Sequence, residues 1–242
     1  MITQSVTKIY LSEQRGIAES DWFRTYSTFN FGNYYSEHRF PFGDLYVLND
    51  DSLAGGQSLK MHVEQSSYLI LLPIVGALSY HDNLGNENLV NAGNIQIILT
   101  GEDYHIELAN PYEAELINFL QIWIKAAPLK STIIPDMVDV ELDQKKNTLI
   151  SLWPVFEGTP EEFANRPRMN IGKFAGRSEA VYKKNKPENS LFAFVIEGAF
   201  EVNGRLLHPR DGLSLSDEEV EMELEALSND AIIFIVELNS QF

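Results

Sequence analysis

The sequence predicts an all-β fold made of two β-barrels in tandem. Short apolar or alternating runs recur along the 242 residues and are separated by turn residues, a pattern typical of β proteins. Helix signals are sparse. One strand–turn–strand pattern also occurs twice, which indicates two copies of one domain.

The predicted strands form two groups along the chain. The first group comprises Leu45–Asn49, Tyr68–Leu72, Ala77–His81, Ile95–Leu99, His105–Ala109 and Ile117–Ile124. The second group comprises Leu149–Trp153, Met169–Phe174, Phe192–Ile196, Ala199–Val202, Gly212–Leu215, Val220–Ala226 and Ala231–Leu238. Strands of this length and spacing are expected in sandwiches and barrels.

Turn and helix signals complete this assignment. Asn203-Gly204 is the preferred pair for a two-residue hairpin. Thr159 followed by Pro160 could begin one short helix. Asp217 to Glu221 could form a helical turn capped by Ser216, but alternation in the residues that follow favours a loop there.

The internal repeat defines the predicted domains. Ile74–Tyr80 resembles Ile196–Val202, with Gly76 matching Gly198. The prediction is an N-terminal barrel over 1–126, a connecting segment over 127–147, and a C-terminal barrel over 148–242. Closure of each barrel would remove exposed strand edges.

Composition narrows the classes of function. The chain has no cysteine, which excludes thiolate zinc sites, disulfides and cysteine nucleophiles. Its net charge of −17 disfavours direct nucleic-acid binding. Residues 1–10 do not have the pattern of a signal peptide, and Pro73 and Gly76 interrupt the longest apolar run, which is too short to span a membrane. A soluble, cytoplasmic protein is expected.

Two His-x-Glu motifs are the candidate chemistry. His62 and Glu64 form one, and His105 and Glu107 form the other. Because residues i and i+2 of a strand share a face, each motif projects an imidazole and a carboxylate in one direction. If the two strands are neighbours and this face is internal, four ligands converge on a site for Fe(II), Mn(II), Ni(II), Cu(II) or Zn(II). The alternative is two solvent-facing pairs.

The second copy of the repeat lacks these motifs. Its alignment with the first copy places Lys184 and Lys186 opposite His62 and Glu64, and Met222 and Leu224 opposite His105 and Glu107. Lysine and aliphatic side chains do not hold divalent metals. The duplication is therefore expected to be functionally asymmetric.

Several motifs resemble the pirin family, a branch of the bicupins. They are Arg24–Tyr35, Phe42–Asp51, Gly55-Gly56, Gly76-Ala77-Leu78, Asp82-x-x-Gly85 and Phe119–Ile124 in the first half, and Gly198-Ala199, Val202-Asn203-Gly204 and Asp211-Gly212 in the second. The second half is similar to the C-terminal cupin of bacterial quercetinase-like members. The resemblance implies two tandem cupin (jelly-roll) β-barrels.

The resemblance also implies a metal site. The family pattern is a His-x-His pair followed later by a His-x-Glu pair, which together bind one metal, usually iron. When the family pattern is matched to this sequence, the four ligand positions fall on His62, Glu64, His105 and Glu107. Glu64 then stands where the family has histidine. A carboxylate there implies a harder site that favours Fe(II) or Mn(II) over Cu(II). The alternative is a degenerate site.

Two functions follow from the resemblance. One is a metal-dependent, quercetinase-like dioxygenase acting on a flavonol-type or other enolic small molecule, with Glu107 as the general base. The other is a non-catalytic pirin-like module that binds a small ligand or a protein partner through its acidic surface. Neither involves nucleic acid or a membrane, and the family resemblance implies a monomer.

Overall fold

A computed structural model describes residues 7–127, 136–152, 166–215 and 220–239. Apart from one 3-10 turn at Ser12–Gln14, the regular elements in these ranges are all β-strands. No helix of the described residues is long and apolar enough to cross a membrane. The chain divides into two compact units, Arg15–Val140 and the described parts of Met1–Gln14 with Glu141–Phe242.

The strands are numbered in chain order. The first twelve are β1 (Thr7–Tyr10), β2 (Gly16–Glu19), β3 (Phe23–Ser27), β4 (Leu45–Leu53), β5 (Ser58–Val63), β6 (Ser67–Val75), β7 (Ala77–Asp82), β8 (Glu87–Asn91), β9 (Asn94–Thr100), β10 (Tyr104–Ala109), β11 (Ile117–Lys125) and β12 (Asp136–Asp139). The others are β13 (Ile150–Ser151), β14 (Arg168–Phe174), β15 (Glu179–Lys183), β16 (Ser190–Glu197), β17 (Phe200–Val202), β18 (Arg205–Leu207), β19 (Gly212–Leu215), β20 (Glu221–Ala226) and β21 (Ala231–Leu238).

The unit Arg15–Val140 contains two antiparallel sheets. One has seven strands in the order β12-β9-β6-β11-β4-β3-β2, and the other has four in the order β5-β10-β7-β8. Alternate side chains of both sheets meet in one core, to which β10 contributes Tyr104, Ile106 and Leu108. Strand alternation therefore decides which residues of β10 face outward.

The second unit has the same plan. Its six-stranded sheet runs β1-β19-β16-β21-β14-β13, and its four-stranded sheet runs β15-β20-β17-β18. Its hydrophobic core cluster is richest in Leu and Ala, with Phe, Ile and Val beside them. The N-terminal strand β1 lies at the edge of this unit, where Lys8 pairs with Ser214 of β19.

Strand order confirms the duplication. The order β9-β6-β11-β4 recurs as β19-β16-β21-β14, and β5-β10-β7-β8 recurs as β15-β20-β17-β18. Gly76 and Gly198 occupy equivalent turns before β7 and β17, and both have positive φ, 80° and 72°. The short repeat in the sequence therefore marks two copies of one eight-strand framework.

Each predicted strand overlaps an observed one, although Trp153 lies outside the described residues. The helix predicted from Thr159 also lies outside them, as does most of the Asp217–Glu221 loop.

The domain boundaries differ from the predicted ones at both ends of the first unit. β12 falls in the predicted connecting segment but pairs with β9, and β1 pairs within the second unit. Both are four-residue edge strands, and pairing partners distant in sequence leave no local signal.

Candidate metal centre

The two His-x-Glu motifs lie on neighbouring strands. β5 pairs with β10 in antiparallel register, which places His62 directly opposite His105. The residues between the motif positions, Ile106 and Val63, point into the core and are buried. The histidines therefore project from the outer face of the four-stranded sheet, where their side chains are 43% and 56% exposed.

The imidazoles share one carboxylate. Their rings are stacked, with centroids 4.4 Å apart and planes inclined by 8°. Nε2 of His62 lies 2.8 Å from Oδ1 of Asp103, and Nε2 of His105 lies 3.4 Å from the same oxygen. Ligand atoms of these three residues all lie within 4.8 Å of one another, and no other group of this kind occurs among the described residues.

Asp103 owes its position to the turn before β10. Its φ of 56° is left-handed, a conformation that Asp tolerates better than most residues. The turn directs the carboxylate towards both histidines. Sequence reasoning missed this residue because it considered acidic residues only after each histidine, whereas Asp103 lies before His105, in the turn that leads into β10. The signal available was an acidic residue in the Gly101-Glu102-Asp103 turn, two positions before a predicted ligand.

The other two predicted ligands lie outside this group of three. Glu107 shares the outward face with His105, but its Oε1 accepts a hydrogen bond from the Ser58 hydroxyl at 2.5 Å, and its Oε2 lies 3.7 Å from Nζ of Lys60. Glu64 follows the end of β5 and is exposed. The structure thus brings together His62 and His105 with Asp103, and it holds Glu107 towards β5.

Apolar side chains of β10 fill the interior of this unit. Convergence of the four predicted ligands required His105 and Glu107 to face inward, but Ile106 and Leu108 of the same strand are the buried set. Burial of this apolar set is what turns His105 and Glu107 outward, because adjacent strand residues face opposite ways.

Comparison with known proteins identifies the chain. The family model described as Pirin matches residues 10–124, and the model described as Quercetinase C-terminal cupin domain matches residues 165–238. The chain belongs to the pirin family.

Two curated relatives span nearly the whole of this pirin. Quercetin 2,3-dioxygenase of Escherichia coli (strain K12) is 27% identical over 214 residues, which covers 87% of this chain and 91% of the relative. The pirin-like protein of Caulobacter vibrioides is 24% identical over 224 residues, which covers 92% of this chain and 96% of the relative.

Solved structures establish the fold. The crystal structure of YhhW from Escherichia coli aligns with a TM-score of 0.84 at 22% identity, covering 98% of this pirin and 99% of that chain. A crystal structure of bacterial pirin YhhW in complex with nickel(II) aligns with the same TM-score and identity, covering 98% and 100%. The predicted fold of two cupin domains is confirmed.

Among its described residues, the second cupin of this pirin has no equivalent group of ligands. Tyr80 pairs with Leu108, and its repeat partner Val202 pairs with Leu224. Leu224 is therefore equivalent to Leu108, not to Glu107 as the sequence alignment placed it. The alignment of the two repeats in the sequence was therefore shifted by one residue in this strand, because the pairing of the strands cannot be read from the sequence.

With this corrected register, Lys183 and Glu221 replace the histidine pair. They lie directly opposite each other in the β15–β20 pairing, as His62 and His105 do in β5–β10. Their side chains form an ion pair of 2.7 Å. A lysine–glutamate pair satisfies itself and offers no set of metal ligands, so the predicted asymmetry between the two copies has a structural basis.

The residues of the first cupin fit a divalent metal. Two imidazole nitrogens and one carboxylate form the set found in non-haem Fe(II) oxygenases, where further coordination positions stay open. The same donors also suit Mn(II), Ni(II) and Zn(II). Histidine and carboxylate side chains that converge on an exposed face are accessible to a metal from solution.

Proposed function

We propose that this pirin is a metal-dependent dioxygenase of the quercetinase-like type, with one divalent metal held by His62, His105 and Asp103. The observation that carries the proposal is the convergence of two imidazoles and one carboxylate within 4.8 Å. The family membership and the relative named quercetin 2,3-dioxygenase support it. Fe(II) or Mn(II) is the proposed metal.

The bound metal would supply an electrophilic centre at which an enolic oxygen of the substrate is polarised, and with iron it would also supply redox chemistry towards O₂. The protein residues have separate tasks. His62 and His105 hold the centre at one edge of the sheet, and Asp103 offsets part of its charge. Glu64 and Glu107 remain proposed additional ligands. Glu64 is two residues from His62, and Glu107 is two residues from His105.

Glu107 is the proposed general base. It lies two residues from His105 on the same face of β10, roughly 7 Å along the strand. The Ser58 hydroxyl donates to one carboxylate oxygen, which leaves the other oxygen, beside Lys60, to accept a proton from a substrate hydroxyl. Lys60 would attract the enolate form of the substrate.

The proposed substrate is a small enolic molecule of the flavonol type. It must approach from solvent, because the histidines lie on an exposed face.

The proposed oligomeric state is a monomer without nucleic-acid or membrane partners. The net charge of −17 would repel a phosphate backbone.

Metal content tests the first half of the proposal. Protein purified without a metal-affinity tag and then supplied with Fe(II) or Mn(II) should hold close to one equivalent by elemental analysis. His105→Ala should lose most of it, while His81→Ala, an exposed histidine on the same sheet outside the group, should retain it. Less than roughly a tenth of an equivalent in the supplied wild-type protein would rule the metal centre out.

Oxygen consumption tests the second half. With quercetin as the probe, the metal-loaded protein should consume O₂ together with the flavonol. Glu107→Gln, compared with wild type at equal metal content, should slow turnover by about 10²–10⁴-fold. A stoichiometric metal with no flavonol-dependent O₂ uptake would keep the metal centre but refute the dioxygenase.

A second candidate function is a non-catalytic pirin-like module with a degenerate site. The observation that favours it is the placement of Glu107, which is held towards Ser58 and Lys60 rather than in the histidine group. This candidate requires wild-type protein to bind no metal and His105→Ala to behave like wild type in every assay above.

A further inference from the structure

A carboxyl group lies in the core of the first cupin. Asp51 in β4 points inward between the core residues Val47 and Leu53, on the alternation that turns odd-numbered residues of this strand to the interior. Its exposed fraction is 0%. An ionised carboxylate at such a position requires a cation or several hydrogen-bond donors.

The polar side chains around Asp51 leave one of its two carboxyl oxygens without a hydrogen-bond partner. Thr25 lies directly opposite it in the β3–β4 register, and Nε2 of Gln121 donates to its Oδ2. Oδ1 of Asp51, Oε1 of Gln121 and Oδ1 of Asn49 are enclosed acceptors with no hydrogen-bond partner. Nδ2 of Asn49 and Oγ1 of Thr25 are enclosed donors that also have no partner, so neither is bonded to Oδ1 of Asp51. A buried acceptor without a partner is unusual and calls for an explanation.

The neighbouring carboxylate, that of Asp50, has a cation of its own. Asp50 points to the opposite side of β4 and pairs with Arg15, whose NH1 lies 3.3 Å from Oδ2 of Asp50. No ion pair involves Asp51 among the residues that the structure describes.

Other charged and titratable groups on the elements around Asp51 do not compensate it. Arg24 of β3 and Lys125 of β11 are exposed. β6 and β9 carry no charged residue. The opposing four-stranded sheet presents Tyr80, Tyr104 and Asp82, and the Tyr104 hydroxyl donates to Asp82 at 2.7 Å.

We propose that Asp51 is a proton-binding site of the folded protein, held as a neutral carboxylic acid with the proton on Oδ1. A proton fits this position because it needs no space in a packed core. It also removes the buried charge, and it converts one of the three partnerless acceptors into a donor. Oδ2 then keeps its hydrogen bond from Gln121.

The electrostatics agree with the geometry. Burial raises the pKa of Asp51 to about 7, the neighbouring Asp50 adds to the rise, and Thr25 and Gln121 counteract it. The unfolded chain releases this proton near its ordinary pKa of 3.8, whereas the folded chain keeps it. Stability from this group is therefore lost as the pH rises from about 4 to about 7, and the loss is constant above that. The inference is independent of the metal centre, which lies on the outer face of the other sheet.

The test uses Asp51→Asn, which is isosteric and cannot ionise. The midpoint of urea unfolding is measured from pH 5 to pH 9 for the wild type and the variant. The wild-type midpoint should fall relative to that of the variant as the pH rises to about 7. The matched control is Asp50→Asn, the next residue on the same strand, which should have a lower midpoint throughout because it breaks the ion pair with Arg15.

A second measurement needs no variant. Carbon-13 NMR of wild-type protein with labelled aspartate carboxyl groups should contain one resonance that titrates near pH 7, well apart from the ordinary aspartates. Equal pH dependence in wild type and Asp51→Asn would overturn the proposal. So would a spectrum in which every aspartate is ionised at pH 6, and this second result decides the matter even if Asp51→Asn does not fold.

Discussion

His62 and His105 face each other across the β5–β10 pairing, with their rings stacked at 4.4 Å and both Nε2 atoms directed at Oδ1 of Asp103. The proposed ligand set thus combines two strand residues, His62 and His105, with one turn residue, Asp103. Glu64, which the family resemblance places in the site, lies outside this group of three. Substitutions of Asp103 and of Glu64 are therefore expected to affect metal binding differently.

Asp103→Asn is expected to weaken metal binding more than Glu64→Gln does. The amide is a poorer ligand than the carboxylate, so the affinity should fall by at least about tenfold. Calorimetric titration with zinc(II), a redox-inert probe of the same donors, measures both variants against wild type. If Glu64→Gln loses as much affinity as Asp103→Asn, the four-ligand set inferred from the family is the correct one and the turn residue is not the third ligand.

The strand pattern of the sequence predicted the fold well, because strand alternation and turn residues are local signals. It also singled out the two His-x-Glu motifs, but it predicted no strand around His62, and the pairing of His62 with His105 was only a condition of the proposed site. It could not decide which face of those strands is buried. That choice depends on whether Ile106 and Leu108 or His105 and Glu107 fill the core, and the larger apolar set does.

The register between the repeats was likewise not readable from sequence. A shift of one residue separates the predicted equivalence of Glu107 with Leu224 from the observed equivalence of Leu108 with Leu224. Buried polar residues such as Asp51 were also missed. Asp51 stands in the polar stretch Asn49-Asp50-Asp51-Ser52, which gives no local sign of burial, and only the strand pairing shows which residues face it.

Gly76 and Gly198 are expected to be far less tolerant of substitution than Gly85. All three have positive φ. A Cβ at Gly76 would lie 2.8 Å from Cγ2 of Ile117, and one at Gly198 would lie 2.7 Å from Cβ of Ala231, whereas nothing lies within 4 Å of one at Gly85.

Each Ala variant therefore loses about 1–2 kcal/mol from the left-handed backbone, and Gly76→Ala and Gly198→Ala lose roughly a further 1–3 kcal/mol from overpacking. Urea unfolding measures the difference. If Gly76→Ala and Gly85→Ala lose the same free energy of unfolding, the side chain of Ile117 moves to accommodate the added Cβ and the overpacking argument is wrong.

Tyr182 is expected to stabilise the second cupin through Glu237. Its hydroxyl donates to Oε2 of this buried carboxylate at 2.7 Å. Glu237 also accepts hydrogen bonds from the Asn185 backbone and from Nδ2 of Asn189. Glu237 therefore keeps two hydrogen bonds in Tyr182→Phe. The variant should lose about 1–3 kcal/mol of unfolding free energy at pH 7. The exposed Tyr35→Phe is the control and should change stability by less than about 0.5 kcal/mol.

This contact also has a pH signature. Burial, with the adjacent Glu237, holds the pKa of Tyr182 well above its ordinary value of 10. Above pH 10 the unfolded chain releases the phenolic proton and the folded chain does not, so stability contributed by Tyr182 declines there. The difference between wild type and Tyr182→Phe should therefore shrink when unfolding is repeated above pH 10, and a constant difference would contradict the assigned hydrogen bond.

Asp211 is expected to hold the N-terminal strand on the second cupin. Its buried carboxylate accepts from the backbone of Ser12 at 2.7 Å and from the backbone of His208 at 2.9 Å. It thus joins the segment after β1 to the turn before β19, the strand with which β1 pairs. Asp211→Ala leaves two backbone donors without their acceptor and should cost about 1–3 kcal/mol.

Hydrogen exchange locates the effect of this substitution. Amide protons of β1 should exchange faster in Asp211→Ala, because an edge strand of four residues opens with little other loss. The packing of Tyr10 on Phe192, with ring centroids 5.4 Å apart, still favours docking, so the strand should fray rather than detach. Glu13→Ala changes an exposed neighbour and should leave the exchange unaltered. If β1 exchanges equally slowly in both variants, strand pairing and the Tyr10 contact hold the N-terminus without the carboxylate.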